Sequence, residues 1–261
     1  MKAVRIIAIC VLSAVLLASL IYIGKSVRED KTAQKEYDSV ADIAFNDSGT
    51  KQAETVSGEK EERETEGPAA VSEEKVDFLP VVNEEELRSI NGEYEAWLFV
   101  PELEISYPVV WCGDNYKYLD RTFAGEENPA GCLFFDGFAK PFLHANTILL
   151  GHNMKNGSMF GRLKKLWQKE YAGKAVSSYI YVDGEWRRYQ LVSSYVLSDD
   201  DEFPYQMVWE NDAAFEDYKR KMLSRSEISY AQAQDMTGDI LTLSTCNGDG
   251  YLRVAHFIRQ K

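Results

Sequence analysis

The chain has 261 residues, 45% of them hydrophobic and 12% aromatic, enough to close one sizeable core once non-globular stretches are set aside. Its formal net charge of -13 excludes nucleic-acid binding as the main task, because phosphate recognition needs a surplus of Lys and Arg on one face.

Lys2 and Arg5 precede an apolar run from Ile6 to Gly24, close to the roughly 20 residues that a helix needs to cross a bilayer. The run is longer than the h-region of a cleaved signal peptide, and no small-x-small site ends it, so a retained helix is the better reading. Residues 1–5 are read as a cytoplasmic stub, 6–24 as a transmembrane anchor, and the remainder as the extracytoplasmic part of a single-pass protein in the cell membrane. Charges flank both ends of the run, so they orient it only weakly. Residues 25–75 contain KQAETVSGEKEERETEGPAAVSEEK and few large apolar side chains, and read as a charged flexible linker.

The globular domain is read as 76–261. Asn83 and Glu86 are spaced as in a capping box and start a short helix through Ile90. The period then changes. AWLFV, SYPVV, GCLFF, NTILLGH, SYIYV, EWRRYQLVSSYVL, DILTLSTC and YLRVAHFI are short β-branched and aromatic runs separated by Gly, Pro, Asn and Asp. Helical spacing interrupts them at SMFGRLKKLW and NDAAFEDYKRKML. The pattern predicts a mainly β barrel or closed sheet with a few peripheral helices.

Four cysteines, Cys10, Cys112, Cys132 and Cys246, lack the CxxC pairs of a zinc site, and neither a metal-ligand cluster nor a cofactor motif is present. Cys112 and Cys132 are read as two core thiols, with a bridge between them left open.

An extracytoplasmic enzyme of this composition has few groups able to act as nucleophile, base and charge stabiliser. Of three histidines, His144 stands in a polar loop, His256 lies inside the last strand, and His152 follows TILLG where the chain leaves the sheet. Cys246 ends the run DILTLSTC, and the turn residues NGDG after it predict a hairpin with YLRVAHFI. A four-residue loop, Asn247 to Gly250, sets Cys246 opposite Tyr251 and Ser244 opposite Arg253. Cys246, Ser244 and Arg253 then share one face, with Leu241, Leu243 and Val254 on the other. A one-residue slip reverses the face of Arg253. This set suits acyl transfer: a thiolate attacks an amide carbonyl, a guanidinium stabilises the oxyanion, and a histidine protonates the leaving amine. Spacing alone leaves open a buried cysteine, a hydrogen-bonded loop histidine and a surface arginine.

LTLSTC with a following Arg, preceded by LLGHNM, resembles the sortase signature. INGEYEAWLFVPELEISYPVV, DNYKYL, NPAGCLFFD and TILLGHNMKNGSMFGRLKK resemble class B sortases in particular, and the similarity runs from about Val76 to the C-terminus. The resemblance implies an eight-stranded sortase β-barrel with an N-terminal helical addition. It implies a membrane-tethered cysteine transpeptidase of Gram-positive bacteria, without cofactor or metal, in which His152, Cys246 and Arg253 are catalytic. Asn115, Leu119 and Ser244 resemble positions that line the binding groove. The implied substrates are surface proteins bearing a C-terminal sorting signal, NPQTN- or PxTG-like, cleaved after Thr. The thioester on Cys246 would pass to an amine of a peptidoglycan precursor or a pilin. Two features depart from the family pattern: the loop before Arg253 is shorter than in many class B members, and His256 stands one position closer to the arginine, so it is assigned no role. Two other readings remain, a surface cysteine endopeptidase in which water resolves the acyl-enzyme, and a non-catalytic peptide-binding barrel. His before Cys in chain order excludes a papain-like arrangement.

Overall fold

In the computed structural model, residues 2–45, 79–248 and 250–261 are described. Eight strands form where the β-branched and aromatic runs stand: β1 (Tyr94–Val100), β2 (Ile105–Val110), β3 (Leu133–Phe135), β4 (Asn146–Leu150), β5 (Ser177–Val182), β6 (Glu185–Ser198), β7 (Ile240–Gly248) and β8 (Tyr251–Arg259). They close into a barrel in the order β1-β2-β3-β4-β7-β8-β6-β5, which leaves no strand edge unpaired. The pairs β2–β3 and β4–β7 are parallel, and the other six are antiparallel.

Alternation along β7 and β8 sorts their side chains between two apolar clusters. Leu241, Leu243, Ala255 and Phe257 join the main core. Ile240 and Ile258 point the other way, into a second cluster formed with Tyr218 and Met222 of α3 (Asp212–Ser224). The helix α3 coincides with the predicted NDAAFEDYKRKML segment, and its N-cap is Asn211, whose side chain accepts from the backbone N–H of Ala214 at 2.9 Å. The SMFGRLKKLW segment yields a shorter 3-10 helix, Leu163–Trp167. The predicted capping helix is α2 (Glu84–Ile90), with Asn83 Oδ1 accepting from Glu86 N at 3.2 Å.

The N-terminal region departs from the sequence reading. The helix expected to end at Gly24 continues as α1 (Lys2–Phe45), so residues 25–45 are not a flexible linker, and Lys2 to Arg5 are already helical. Between Val11 and Ile23 its side chains are exposed, and the helix is long and apolar enough to cross a membrane, with a hydropathy of 1.5. Beyond that, Ala33, Tyr37, Val40 and Ala44 recur at helical spacing and are buried. Average composition concealed this stripe, because charged residues fill the positions between. The helix end is fixed by Asn83 N donating to Ala44 O at 2.9 Å and by the Phe45 ring meeting Trp97 edge-on at 5.0 Å. Residues 46–75 of the expected linker and the domain start at Val76 lie outside the described residues.

Cys112 and Cys132 are both free. Cys132 is buried beside the Tyr37 hydroxyl, and desolvation pushes its thiol up to about 12.

A buried polar chain ties four strands together. Tyr195 on β6 donates its hydroxyl to His256 Nε2 at 2.9 Å, and His256 Nδ1–H donates to Thr242 Oγ1 at 2.9 Å. Thr242 passes its own proton to Asn146 Oδ1 at 2.7 Å, which sets the direction of the whole chain. The Asn146 amide then donates to the carbonyls of Pro204 and Gln206, holding that turn against the strands.

Burial lowers the His256 pKa to about 3, well below the ordinary imidazole value. Its unfolded state therefore takes up a proton near pH 6.5 that the folded state refuses until about 3. Stability should fall as pH falls through that window, by up to about 1.4 kcal/mol per pH unit from this group. Urea unfolding between pH 4 and 7 is expected to show His256→Gln with a shallower pH slope than the parent protein; identical slopes would remove His256 from the account. Deleting residues 1–78 should cost about 3 kcal/mol or more, because it uncovers the barrel surface under Tyr37, Val40 and Ala44. Deleting only residues 1–25 should leave the unfolding midpoint in place.

Candidate active site

The parallel strands β4 and β7 run side by side to the same end of the barrel, in register from Asn146↔Ile240 to Leu150↔Ser244. Gly151 N extends the ladder by donating to Ser244 O at 3.3 Å. Two residues beyond that pair stand His152 and Cys246. Paired residues on parallel strands point the same way, so His152 continues the face of Leu150 as Cys246 continues that of Ser244. Gly151 is required between them: a Cβ there would lie 2.3 Å from Leu133 Cδ2 and 3.0 Å from a Phe160 ring carbon.

His152 is half-buried, and its Nε2 lies 2.5 Å from the carbonyl oxygen of Leu119. A carbonyl only accepts, so Nε2 carries the proton and the lone pair falls on Nδ1. The backbone is held as well, by Phe160 N donating to His152 O at 2.9 Å and by a bridge between Asn153 and Met159. Beside the ring passes Gly131, at φ +60°, where a Cβ would stand 3.1 Å from His152 Cδ2 and 2.5 Å from the Tyr118 carbonyl.

The Leu119 carbonyl is presented by its neighbour. Tyr118 donates its hydroxyl to Glu93 at 2.6 Å and accepts from Asn91 Nδ2 at 2.8 Å, and Cys132 N donates to Tyr118 O at 3.0 Å. The Leu119 side chain itself remains exposed. Asn115, in the same loop, has both ends of its amide engaged: Nδ2 donates to Asp136 at 3.2 Å, and Oδ1 accepts from Gly137 N at 2.7 Å. It ties the loop to the turn after β3.

Cys246 is exposed at the end of β7. Ser244 is buried, and its hydroxyl meets that of Tyr205 at 2.8 Å. Tyr205 belongs to the turn held by Asn146, and no local pattern in the sequence marks it as part of the site. Burial raises its pKa.

Arg253 does not have the predicted pairing. β7 runs on to Gly248, which pairs with Tyr251, and a bulge between Cys246 and Gly248 absorbs Asn247. Cys246 therefore faces Leu252, Ser244 faces Val254, and Thr245 faces Arg253. The one-residue shift puts Arg253 on the side of Thr245 and Leu243, and Val254 on the side of Cys246. The guanidinium lies over the Trp167 ring, 4.9 Å from its centroid, while Trp167 Nε1 donates to Glu227 at 2.9 Å. Arg253 Nε is buried without a hydrogen-bond partner, and burial lowers the group's pKa against the opposing pull of Glu227. Of the other histidines, His256 is consumed by the buried chain, and His144 lines a small cavity with Asp136 and Lys140. Among the described residues no three His, Cys, Asp or Glu side chains gather as metal ligands.

A chain with His152 and Cys246 just beyond the paired ends of two parallel strands can be compared with known proteins. The sortase domain model matches residues 98–256. Sortase B of Listeria monocytogenes is 32% identical over 164 residues, covering 62% of this chain and 66% of that protein, and sortase B of Staphylococcus aureus is 29% identical over 175 residues, covering 64% and 68%. The crystal structure of sortase B from Bacillus anthracis in complex with AAEK1 superposes with a TM-score of 0.60 at 28% identity, over 69% of this chain and 86% of that one. The chain belongs to the sortase family, a family of cysteine transpeptidases.

Proposed function

We propose that this protein is a class B-like sortase acting at the outer face of a cell membrane, with Cys246 as nucleophile and His152 as its proton-transfer partner. The observation that carries the reading is the β4–β7 register, which brings the two residues to the same strand ends on one face. The Leu119 carbonyl supports it, because it occupies Nε2–H and leaves Nδ1 to exchange the proton.

In the proposed cycle the Cys246 thiolate attacks the Thr carbonyl of a sorting signal, NPQTN- or PxTG-like. The tetrahedral oxyanion collapses, the C–N bond breaks, and the departing amine takes a proton from the His152 imidazolium. An amine of a peptidoglycan precursor or pilin then attacks the thioester, gives its proton to His152, and releases the thiolate. Ser244, Leu119 and the loop braced by Asn115 border the path of the signal peptide. Arg253 acts from the other side of the hairpin, where stacking on Trp167 fixes its plane and the unpartnered Nε–H is a donor without a protein acceptor. The exposed apolar part of α1 is proposed as the membrane anchor, with the barrel outside.

Cys246→Ala should abolish cleavage of a fluorogenic sorting-signal peptide without moving the unfolding midpoint, since an exposed strand-end thiol contributes little packing. His152→Ala should be nearly as inactive; a tenth of the parental rate would exclude it as the acid. Adding a diaminopimelate-bearing amine should divert product from hydrolysis to amine adduct, whereas an endopeptidase would give the same hydrolysis product with or without it. For Arg253, the Ala variant should lose most of the turnover and the Lys variant much of it, since Lys keeps the charge but not the planar fork stacked on Trp167. Steady-state kinetics on both variants measure this, and parental turnover in Arg253→Ala would reject the role.

A further inference from the structure

The buried hydroxyl of Tyr37 belongs to α1, yet its contacts lie in the loops that hold His152. It donates to the carbonyl of Gly131 at 2.6 Å and accepts from Phe123 N at 3.3 Å. Gly131 is the residue packed beside His152 Cδ2 and against the Tyr118 and Leu119 carbonyls, so this bond fixes a peptide that adjoins the imidazole and the carbonyl it meets. A second path leads from the same side chain. The Tyr37 ring meets Tyr107 edge-on at 5.3 Å, and the Tyr107 hydroxyl accepts from Met159 N at 3.3 Å. Met159 has φ +50° and bridges to Asn153, next to His152.

Neighbouring contacts keep α1 in place over these loops. Glu36 accepts from Ala124 N at 3.0 Å, and the carbonyl of Glu29 accepts from Asn128 Nδ2 at 3.0 Å. Three residues of one helix, Glu29, Glu36 and Tyr37, therefore meet the stretch from Phe123 to Gly131 and β2, and none touches Cys246 or its strand in these bonds. A helix needed only to cover apolar surface would be served by Val40 and Ala44. The Tyr37 hydroxyl is a separate expenditure of a buried polar group, satisfied on both sides.

We infer that Tyr37 is a positioning residue for His152: through Gly131 on one side and Tyr107 on the other it holds the imidazole on the Leu119 carbonyl, so the helix leading toward the membrane is part of the catalytic frame. The inference rests on the proposed role of His152, and its test separates the two.

The full-length protein in detergent micelles carries only three histidines, so selective 15N-histidine labelling resolves the His152 ring. The parent should show Nε2–H as the dominant tautomer of His152. Tyr37→Phe keeps the ring and removes the hydroxyl, and it should mix the two tautomers. It should also lower kcat about tenfold while KM stays within about twofold, the pattern of a displaced catalytic group and not of lost substrate binding. Val40→Ala loosens the same helix without touching that hydroxyl, and should leave the tautomer and kcat unchanged. An unaltered His152 tautomer in Tyr37→Phe overturns the inference, and so does a kcat loss in Val40→Ala equal to that in Tyr37→Phe. Full activity in His152→Ala would instead overturn the proposed chemistry, while the tautomer measurement would still report on Tyr37.

Discussion

The parallel pairing of β4 with β7 is the constraint on which the rest depends. Parallel neighbours cannot be joined by a tight turn, so the chain between them must travel through β5, β6 and α3 before it returns. That detour is what lets two residues 94 positions apart leave the sheet at the same end. It also supplies the covering parts: the turn bearing Tyr205 on the outer face, and Trp167 at the barrel end where Arg253 lies. Closure of the barrel makes the pairing rigid, because neither strand has a free edge along which to slip.

His152 and His256 show how the same side chain is put to different uses by its surroundings. His256 is enclosed, satisfied at both ring nitrogens by hydroxyls, and held neutral by desolvation. It acts as a hydrogen-bonded link that joins β6, β7, β8 and β4 to the turn whose Tyr205 meets Ser244. His152 is half-buried and has one ring nitrogen committed to a carbonyl. Asn146 connects the two regions, since it begins the strand that ends at His152 and also receives the end of the His256 chain.

The bracing of the loops around His152 is not confined to the barrel. Tyr37 and Glu36 on α1, and Asn83 before α2, bond to loops and helix ends that a bare barrel would leave unbraced. A helix that is exposed and apolar from Val11 to Ile23 and packed against loops of the barrel from Ala33 to Ala44 gives the domain a fixed orientation relative to that apolar stretch.

The sequence by itself determined the eight strands, the capped start of α2, the helix α3 and the hairpin of β7 with β8, because each is written in local periodicity or turn residues. It also pointed to Cys246 and His152, since so few nucleophiles and bases stand at strand ends. The face of Arg253 was not legible: the bulge at Asn247 shifts the register by one residue, and nothing local distinguishes a four-residue loop from a two-residue turn with a bulge. Nor was the packing of residues 25–45, where four apolar positions among many charges matter only because a barrel surface exists to receive them. Tyr205, Trp167 and Tyr37 join the site through folding of distant segments, and contacts of that kind have no signature in the order of residues along the chain, only in the closed sheet that brings them together.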